Sequence, residues 1–250
     1  MAVSNISEQD FVFAKPLKME DPYSRFFMNS LLRGFTHKLN NLLAVVEGFS
    51  SLILMSDDPD ETIRESLQHM RDAAKNASAL SQRSLTAGGC VNINLQDLRL
   101  EDFLAMLDTT LREPFVRLGV PFEVKLPPSL PSVRVDASRL KEILAEVLKN
   151  AAEAASVISG KSWLEVLGPN NGITSISEPL VHIFIHNTGS EIAFEKLGEI
   201  FRPFYSTKDT RHFGLGLAIT SVLAGQMNIR IGVRSKGGIT TLWIMCPLAG

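Results

Sequence analysis

From about Tyr23 onward the order of apolar and polar positions is helical. Met28, Leu32, Phe35, Leu39, Leu42, Val46, Phe49 and Ile53 recur at spacings of four and three, the pattern of a sustained heptad seam. Asp57, Asp58, Pro59 and Asp60 break the run, because proline cannot continue a helix interior. A second seam follows in Ile63, Leu67, Met70, Ala74, Ala77 and Ser81 and ends near Ala87-Gly88-Gly89. Two long helices joined by a short breaker predict an antiparallel hairpin. One hairpin buries little apolar surface, whereas two make a four-helix bundle. The seam therefore predicts a homodimer, with packing of the hairpin on the chain's own second domain as the alternative.

After Gly89 the period changes. Val91 to Leu95 reads as a short strand and Leu100 to Leu118 as an amphipathic helix. Pro121 to Lys125 and Ser132 to Val135 read as strands around a proline-rich turn. Asp136 is placed to cap a helix from Ala137 to about Val157. Strands follow at Trp163 to Leu167, Leu180 to Asn187, Arg230 to Arg234 and Thr240 to Cys246. A short helix near Phe194–Leu197, an irregular stretch from Arg202 to Phe213 and a helix from about Leu215 to Ala224 lie between them. Mixed strands with helices on one side indicate an α/β sandwich. The expected division is an N-terminal arm over 1–22, the hairpin over 23–88 and the α/β domain over 89–250.

Bulk properties narrow this picture only modestly. With 45% hydrophobic and 21% charged residues the chain is globular in composition. A net charge of −2 argues for neither nucleic acid nor an anionic membrane as partner. Cys90 and Cys246 are far apart, which implies neither a disulfide framework nor a zinc site and fits a reducing cytosol. The N-terminus does not read as a secretory signal, and no apolar run approaches the roughly 18 residues that span a bilayer. A soluble, cytoplasmic protein without membrane insertion is expected.

Three constellations carry chemistry. His37, in FTHKLNNLL, lies two positions from Phe35 and two from Leu39, a phase that puts it off the buried stripe. An exposed neutral imidazole is nucleophilic near physiological pH and can accept a phosphoryl group. Asn41 is one helical turn away, on the same surface. In LKEILAEVLKNAAEAAS, Glu146 and Asn150 share a helix face, and their oxygens suit Mg²⁺. In IFRPFYSTK and the following FGLGLAITSVL, Gly214 and Gly216 permit close backbone approach to a polyphosphate. The helix from Leu217 would present its N-terminal amides to negative charge.

In order and spacing these strings resemble the boxes of two-component sensor histidine kinases, and the resemblance covers roughly Arg25 to Pro247. Asn40, Asn41, Leu42 and Leu43 match the histidine box of the nitrogen-regulator and hybrid kinases. The helix with Glu146 and Asn150 is similar to the asparagine box of the GHKL superfamily of gyrase, Hsp90, histidine kinase and MutL ATPases. The resemblance implies a dimeric hairpin followed by a GHKL (Bergerat) α/β sandwich that binds ATP and Mg²⁺. It makes His37 the phospho-acceptor and Asn41 the residue that orients water for dephosphorylating a partner. Asn150 becomes the metal ligand with Glu146 as helper, and Lys208 reaches the phosphates. Phe201 and Phe204 would pack beneath a lid, and Thr240 would help line the adenine pocket. The implied partners are a response regulator receiver domain, a second copy of the chain and a separate sensor protein.

The chain departs from the family at three places. The first glycine box, DxGxG, reads Asn187-Thr188-Gly189-Ser190-Glu191. Asn187 can accept a hydrogen bond from adenine but lacks the charge assistance of aspartate, and Glu191 adds bulk and negative charge. The lid Asp209-Thr210-Arg211-His212-Phe213 is short, and Lys38 stands where an acidic residue usually takes the proton of the attacking imidazole. The resemblance thus leaves an ATP-dependent autokinase that passes its phosphoryl group to a response regulator aspartate. The alternative is a degenerate kinase serving as a histidine phosphotransferase or phosphatase. A dimeric scaffold without catalysis is the third reading.

Overall fold

The computed structural model describes residues 8–15, 22–55, 61–169, 179–207 and 213–250. The chain divides into two compact units: Lys18–Val91, and Met1–Leu17 together with Asn92–Gly250.

The first unit consists of α1 (Pro22–Leu54) packed along α2 (Glu61–Ala87). Contacts between the start of α1 and the end of α2 fix the antiparallel sense. The Cys90 thiol donates to Asn29 Oδ1 at 2.8 Å, and the Arg33 guanidinium donates to the Cys90 carbonyl at 3.2 Å. Gly88 lies so close to Leu32 that a Cβ there would sit 3.0 Å from Leu32 Cδ1. The breaker Asp57–Asp60 lies outside the described residues.

Thr36 and Ser50 of α1, and Leu67, Ala74, Ser81 and Thr86 of α2, are buried. The seam read along α1 belongs mostly to a different face. Its members Phe35, Leu42, Val46, Phe49 and Ile53 are exposed, as are Val45 and Leu52. Leu67, Ala74 and Ser81 recur every seventh residue along α2, while Ile63 and Met70 stay half exposed.

The second unit is a mixed α/β structure. Its six-stranded sheet has the order β1-β7-β8-β6-β5-β3: β1 (Val12–Phe13), β3 (Phe122–Lys125), β5 (Ser162–Leu167), β6 (Leu180–Thr188), β7 (Arg230–Lys236) and β8 (Ile239–Pro247). Only β3 and β5 run parallel. Helices α3 (Leu100–Leu118) and α6 (Gly216–Gln226) each pack on α4 (Ala137–Ser156), α4 lies against β6, and the short α5 (Phe194–Leu197) contacts β7. α4 buries Leu140, Ile143, Leu144, Val147, Leu148, Ala151 and Ala155. Strand β6 is covered on both faces, which is why its sequence lacks a clean alternation.

Asp136 caps α4 as its position implies, accepting from Ser138 N at 2.9 Å and Arg139 N at 3.2 Å. Its other carboxylate oxygen accepts the Asn94 N–H at 2.8 Å. Burial works to raise this carboxyl's pKa, but the bonds from Asn94, Ser138 and Arg139 outweigh it and hold the pKa below the usual value. The strand expected at Val91–Leu95 lies instead at β2 (Gln96–Leu98), paired antiparallel with β4 (Val133–Val135). The Asn94 amide is committed to the α4 cap, so the ladder begins only after it. Strand β1 is an element that its two residues could not announce by periodicity. Among the described residues no helix is long and apolar enough to cross a membrane, and both cysteines are free and buried.

Candidate active site

His37 and Asn41 are both exposed on α1. Asn41 Nδ2 lies 3.4 Å from His37 Nδ1, which as placed makes the amide the donor and Nδ1 the acceptor. That contact bears directly on nucleophilicity. If the amide oxygen faces the ring, Nδ1–H donates to it and the Nε2 lone pair points outward. If the amide nitrogen faces it, Nδ1 accepts and the proton sits on Nε2. One asparagine can thus hold either tautomer, and the first leaves a nucleophile at the open end of the ring.

In the second unit several predicted residues converge on one end of α4. Glu146 and Asn150 are half-buried one turn apart, and each already engages a neighbouring group. Ala154, one turn further on, meets the end of β6: a Cβ on Gly189 would lie 3.6 Å from Ala154 O and 3.2 Å from Asn187 Nδ2. Asn187 and Thr240 are register partners across β6 and β8 and are nearly buried. The Asn187 amide nitrogen donates to Thr188 O at 3.2 Å, which leaves its oxygen as the acceptor. Small residues, an amide oxygen and a hydroxyl therefore line the α4–β6–β8 corner.

This corner is braced by groups that motif reading left without a role. Gly189 N donates to Gly238 O at 3.0 Å, and Ile192 N donates to Ser235 Oγ at 2.9 Å. Ser235 Oγ lies 2.9 Å from Thr240 Oγ1. Glu191 accepts the Gly237 N–H at 3.0 Å, so its carboxylate is engaged by the β7–β8 turn. The signal in the sequence was an acidic residue together with a Gly-Gly turn 46 positions away, a separation that no local rule connects.

The second glycine box is built on a close backbone approach. Gly214 has φ +64°, and a Cβ there would meet Phe204 C at 2.7 Å and Tyr205 O at 2.8 Å. Phe204 itself has φ +63°. Phe201 is buried as expected, but Phe204 is 67% exposed; its backbone, not its ring, packs against Gly214. Gly216 opens α6, whose N-cap Leu215 gives no side-chain hydrogen bond. Leu215 therefore leaves the first-turn amides of α6 without an N-cap side chain, the arrangement that receives an anion. Lys208 and the lid residues 209–212 lie outside the described residues.

These features fit a magnesium nucleotide: amides for phosphate, a buried acceptor for a base, and two oxygen-bearing side chains on α4. Among the described residues no three His, Cys, Asp or Glu side chains cluster as a metal site. A cation at Glu146 and Asn150 would therefore complete its shell with phosphate and water oxygens.

The chain is similar in sequence and in fold to known proteins. Residues 135–250 match the family of histidine kinase-, DNA gyrase B- and HSP90-like ATPases. The sensor histidine kinase ZraS of Salmonella typhimurium is 23% identical over 220 residues, covering 87% of this chain and 45% of its own. The chain thus spans about half the length of that curated relative. Full-length ShkA in complex with AMPPNP superposes with a TM-score of 0.71 at 21% identity, over 88% of this chain and 46% of that one. Histidine kinase ThkA in complex with the response regulator TrrA gives a TM-score of 0.59 at 18% identity, over 92% of this chain and 66% of that one.

Proposed function

Because residues 135–250 form a histidine kinase-, DNA gyrase B- and HSP90-like ATPase domain, in a chain related to two-component sensor histidine kinases, we propose that the protein is an ATP-dependent histidine autokinase acting on a response regulator. The observation that carries this reading is His37, exposed on α1 with Asn41 one turn away and 3.4 Å from its ring. With the Asn41 amide turned so that its oxygen accepts Nδ1–H, the Nε2 lone pair is free to attack the γ-phosphorus of ATP. The new N–P bond forms as the bond to the ADP oxygen breaks, and ADP leaves. The phosphoryl group then passes to a receiver-domain aspartate, which frees the imidazole.

Asn187 accepts from the base, Thr240 lines the same wall, and the α6 amides with Gly214 and Gly216 face the phosphates; Lys208 joins them by the family resemblance alone. Glu146 and Asn150 would hold Mg²⁺, which would supply positive charge to the phosphate oxygens. A second copy of the chain covers the apolar face of α1, completing a four-helix bundle. A receiver domain is the further partner.

A second reading rests on Lys38, which cannot act as a base while protonated, and on Asn187 in place of aspartate. Both weaken ATP use and leave His37 and Asn41 untouched, as suits a phosphotransferase or phosphatase. One experiment separates the readings: incubate the protein with MgATP, or with a phosphorylated receiver, and map the acid-labile phosphate. The kinase reading expects His37 to be labelled from ATP and His37→Ala to lose all label. Label from the receiver alone would favour the phosphotransferase, and label that survives His37→Ala would sink both.

A further inference from the structure

The outer face of the sheet carries Leu180, His182, Phe184 and His186 on β6, and Thr241, Trp243 and Met245 on β8. The N-terminal arm closes part of this face. Phe11 is buried with Leu180, Phe184, Trp243 and Met245, and its ring centroid lies 4.9 Å from that of Trp243. Phe13 packs against the same cluster, 6.0 Å from Trp243.

Three kinds of interaction tie the arm to β7. The backbone adds a short antiparallel strand, Val12 opposite Val233 and Phe13 opposite Gly232, with Ala14 N donating to Ile231 O at 2.9 Å. Shape matches at Gly232, where a Cβ would stand 2.8 Å from Phe13 Cε1; only glycine leaves room for that ring. Charge matches as well. Arg230 pairs with Glu8 and lies 4.8 Å over the Phe13 ring. Arg234 lies 3.8 Å from Asp10 and 5.8 Å over the Phe11 ring. The segment EQDFVFA thus presents alternating aromatics and flanking acids to a strand that offers a glycine between two arginines two residues away on either side.

The residue after Arg234 is Ser235, whose hydroxyl accepts from Ile192 N and meets Thr240 Oγ1. The arm therefore packs on the stretch of β7 that leads directly into the brace of the α4–β6–β8 corner. We propose that residues Glu8–Ala14 are an intramolecular strand ligand for the β7 edge, and that their docking keeps the Ser235–Thr240 brace in the shape that binds nucleotide. The second half rests on the nucleotide reading of that corner. Because the arm continues in sequence into α1, its release gives an event at the start of the His37 helix a route to nucleotide binding.

The test uses the full chain with two variants. Phe11→Ala/Phe13→Ala removes the aromatic anchors. Gly232→Ala keeps the arm's sequence but puts a methyl group under the Phe13 ring. Amide exchange of β7 should rise about tenfold or more in both, as for an edge strand that opens locally. MgATP affinity should fall about fivefold, a change of about 1 kcal/mol. A synthetic peptide of residues Glu8–Lys15 added to the double variant should restore both. Unchanged β7 exchange in both variants would overturn the docking claim. Faster exchange with unchanged MgATP affinity would overturn the coupling. If the parent chain binds no MgATP, the nucleotide reading fails and the coupling falls with it, while exchange and the peptide still decide the docking.

Discussion

In α1, Phe35, Leu42, Phe49 and Leu52 are 63–67% exposed, whereas in α4 Leu140, Ile143, Leu144, Val147 and Leu148 are fully buried. Both helices are amphipathic, and both carry their apolar residues at helical spacing. The difference lies in what the single chain supplies to cover them. The α/β unit brings a sheet and two further helices to α4, while α2 offers α1 a face of leucine, alanine and serine and leaves the larger apolar stripe of α1 uncovered. A stripe of that extent on a monomer is unusual and marks an interaction surface. Among the described residues, that stripe is the surface on which the proposed second copy would pack, whereas the α/β unit covers its own helices.

The strongest way to break this contrast is to charge the stripe. Leu42→Glu or Phe49→Glu would bury an unpaired carboxylate in the proposed bundle, at a cost of several kcal/mol. Light scattering should drop from a two-chain to a one-chain mass, and the helical signal of the hairpin should fall. Trp163 and Trp243 both lie in the α/β unit, so tryptophan fluorescence should show that unit melting as before. A one-chain mass for the parent protein would refute the dimer outright.

Acid should sharpen the contrast from the other side. His182 and His186 are buried in the α/β unit, and His37 and His69 are exposed on the hairpin. His182 Nδ1 accepts the Trp243 indole N–H at 3.1 Å, and burial lowers its pKa to about 4. His186, 2.9 Å from Thr241 Oγ1, is pushed down to about 3 by burial first and then by Arg234 and Lys125. Both groups therefore bind protons more readily when unfolded. Their contribution to stability is complete above the unfolded pKa of about 6.5 and is lost as pH falls through that value toward 4 and then 3, a few kcal/mol in all. The denaturation midpoint followed by tryptophan fluorescence should fall between pH 7 and 5. A midpoint that stays level over that range would show that the histidines are not buried as described.

How much of this was legible beforehand depends on the length and period of each element. Leu100–Leu118 appears as a helix with the bounds its pattern implies, and α4 starts where Asp136 announces a cap. Both carry many turns of one period. Strand β1 has two residues and no period; its position is set by Trp243 and Gly232, more than 200 residues away. In the hairpin, the α2 seam read from the sequence includes the buried Leu67, Ala74 and Ser81, whereas the buried Thr36 and Ser50 of α1 are small polar residues to which a hydropathy pattern gives little weight. At the site, the glycines and asparagines were visible as motifs. The Ser235, Glu191 and Gly238 bonds that brace them were not, because they join segments through single hydrogen bonds.

The smallest expected effect separates the two units by function. Asn187 is nearly buried, and its amide nitrogen is committed to Thr188 O, so its oxygen is what a base can meet. Asn187→Asp supplies a charged acceptor but sets a carboxylate oxygen against that carbonyl, which offsets part of the gain. The net should be about 1 kcal/mol, or about fivefold tighter MgATP binding by calorimetry. Lys38→Glu, on the hairpin, should leave that affinity unchanged and raise the rate of His37 labelling by supplying a base next to the nucleophile in sequence. Since one change acts on binding and the other on transfer, the double variant should show both gains independently. If Lys38→Glu tightened binding, or Asn187→Asp sped transfer at saturating ATP, the assignment of nucleotide to one unit and phospho-acceptor to the other would be wrong. If the parent chain already bound and labelled at the level of the double variant, neither departure would limit the reaction.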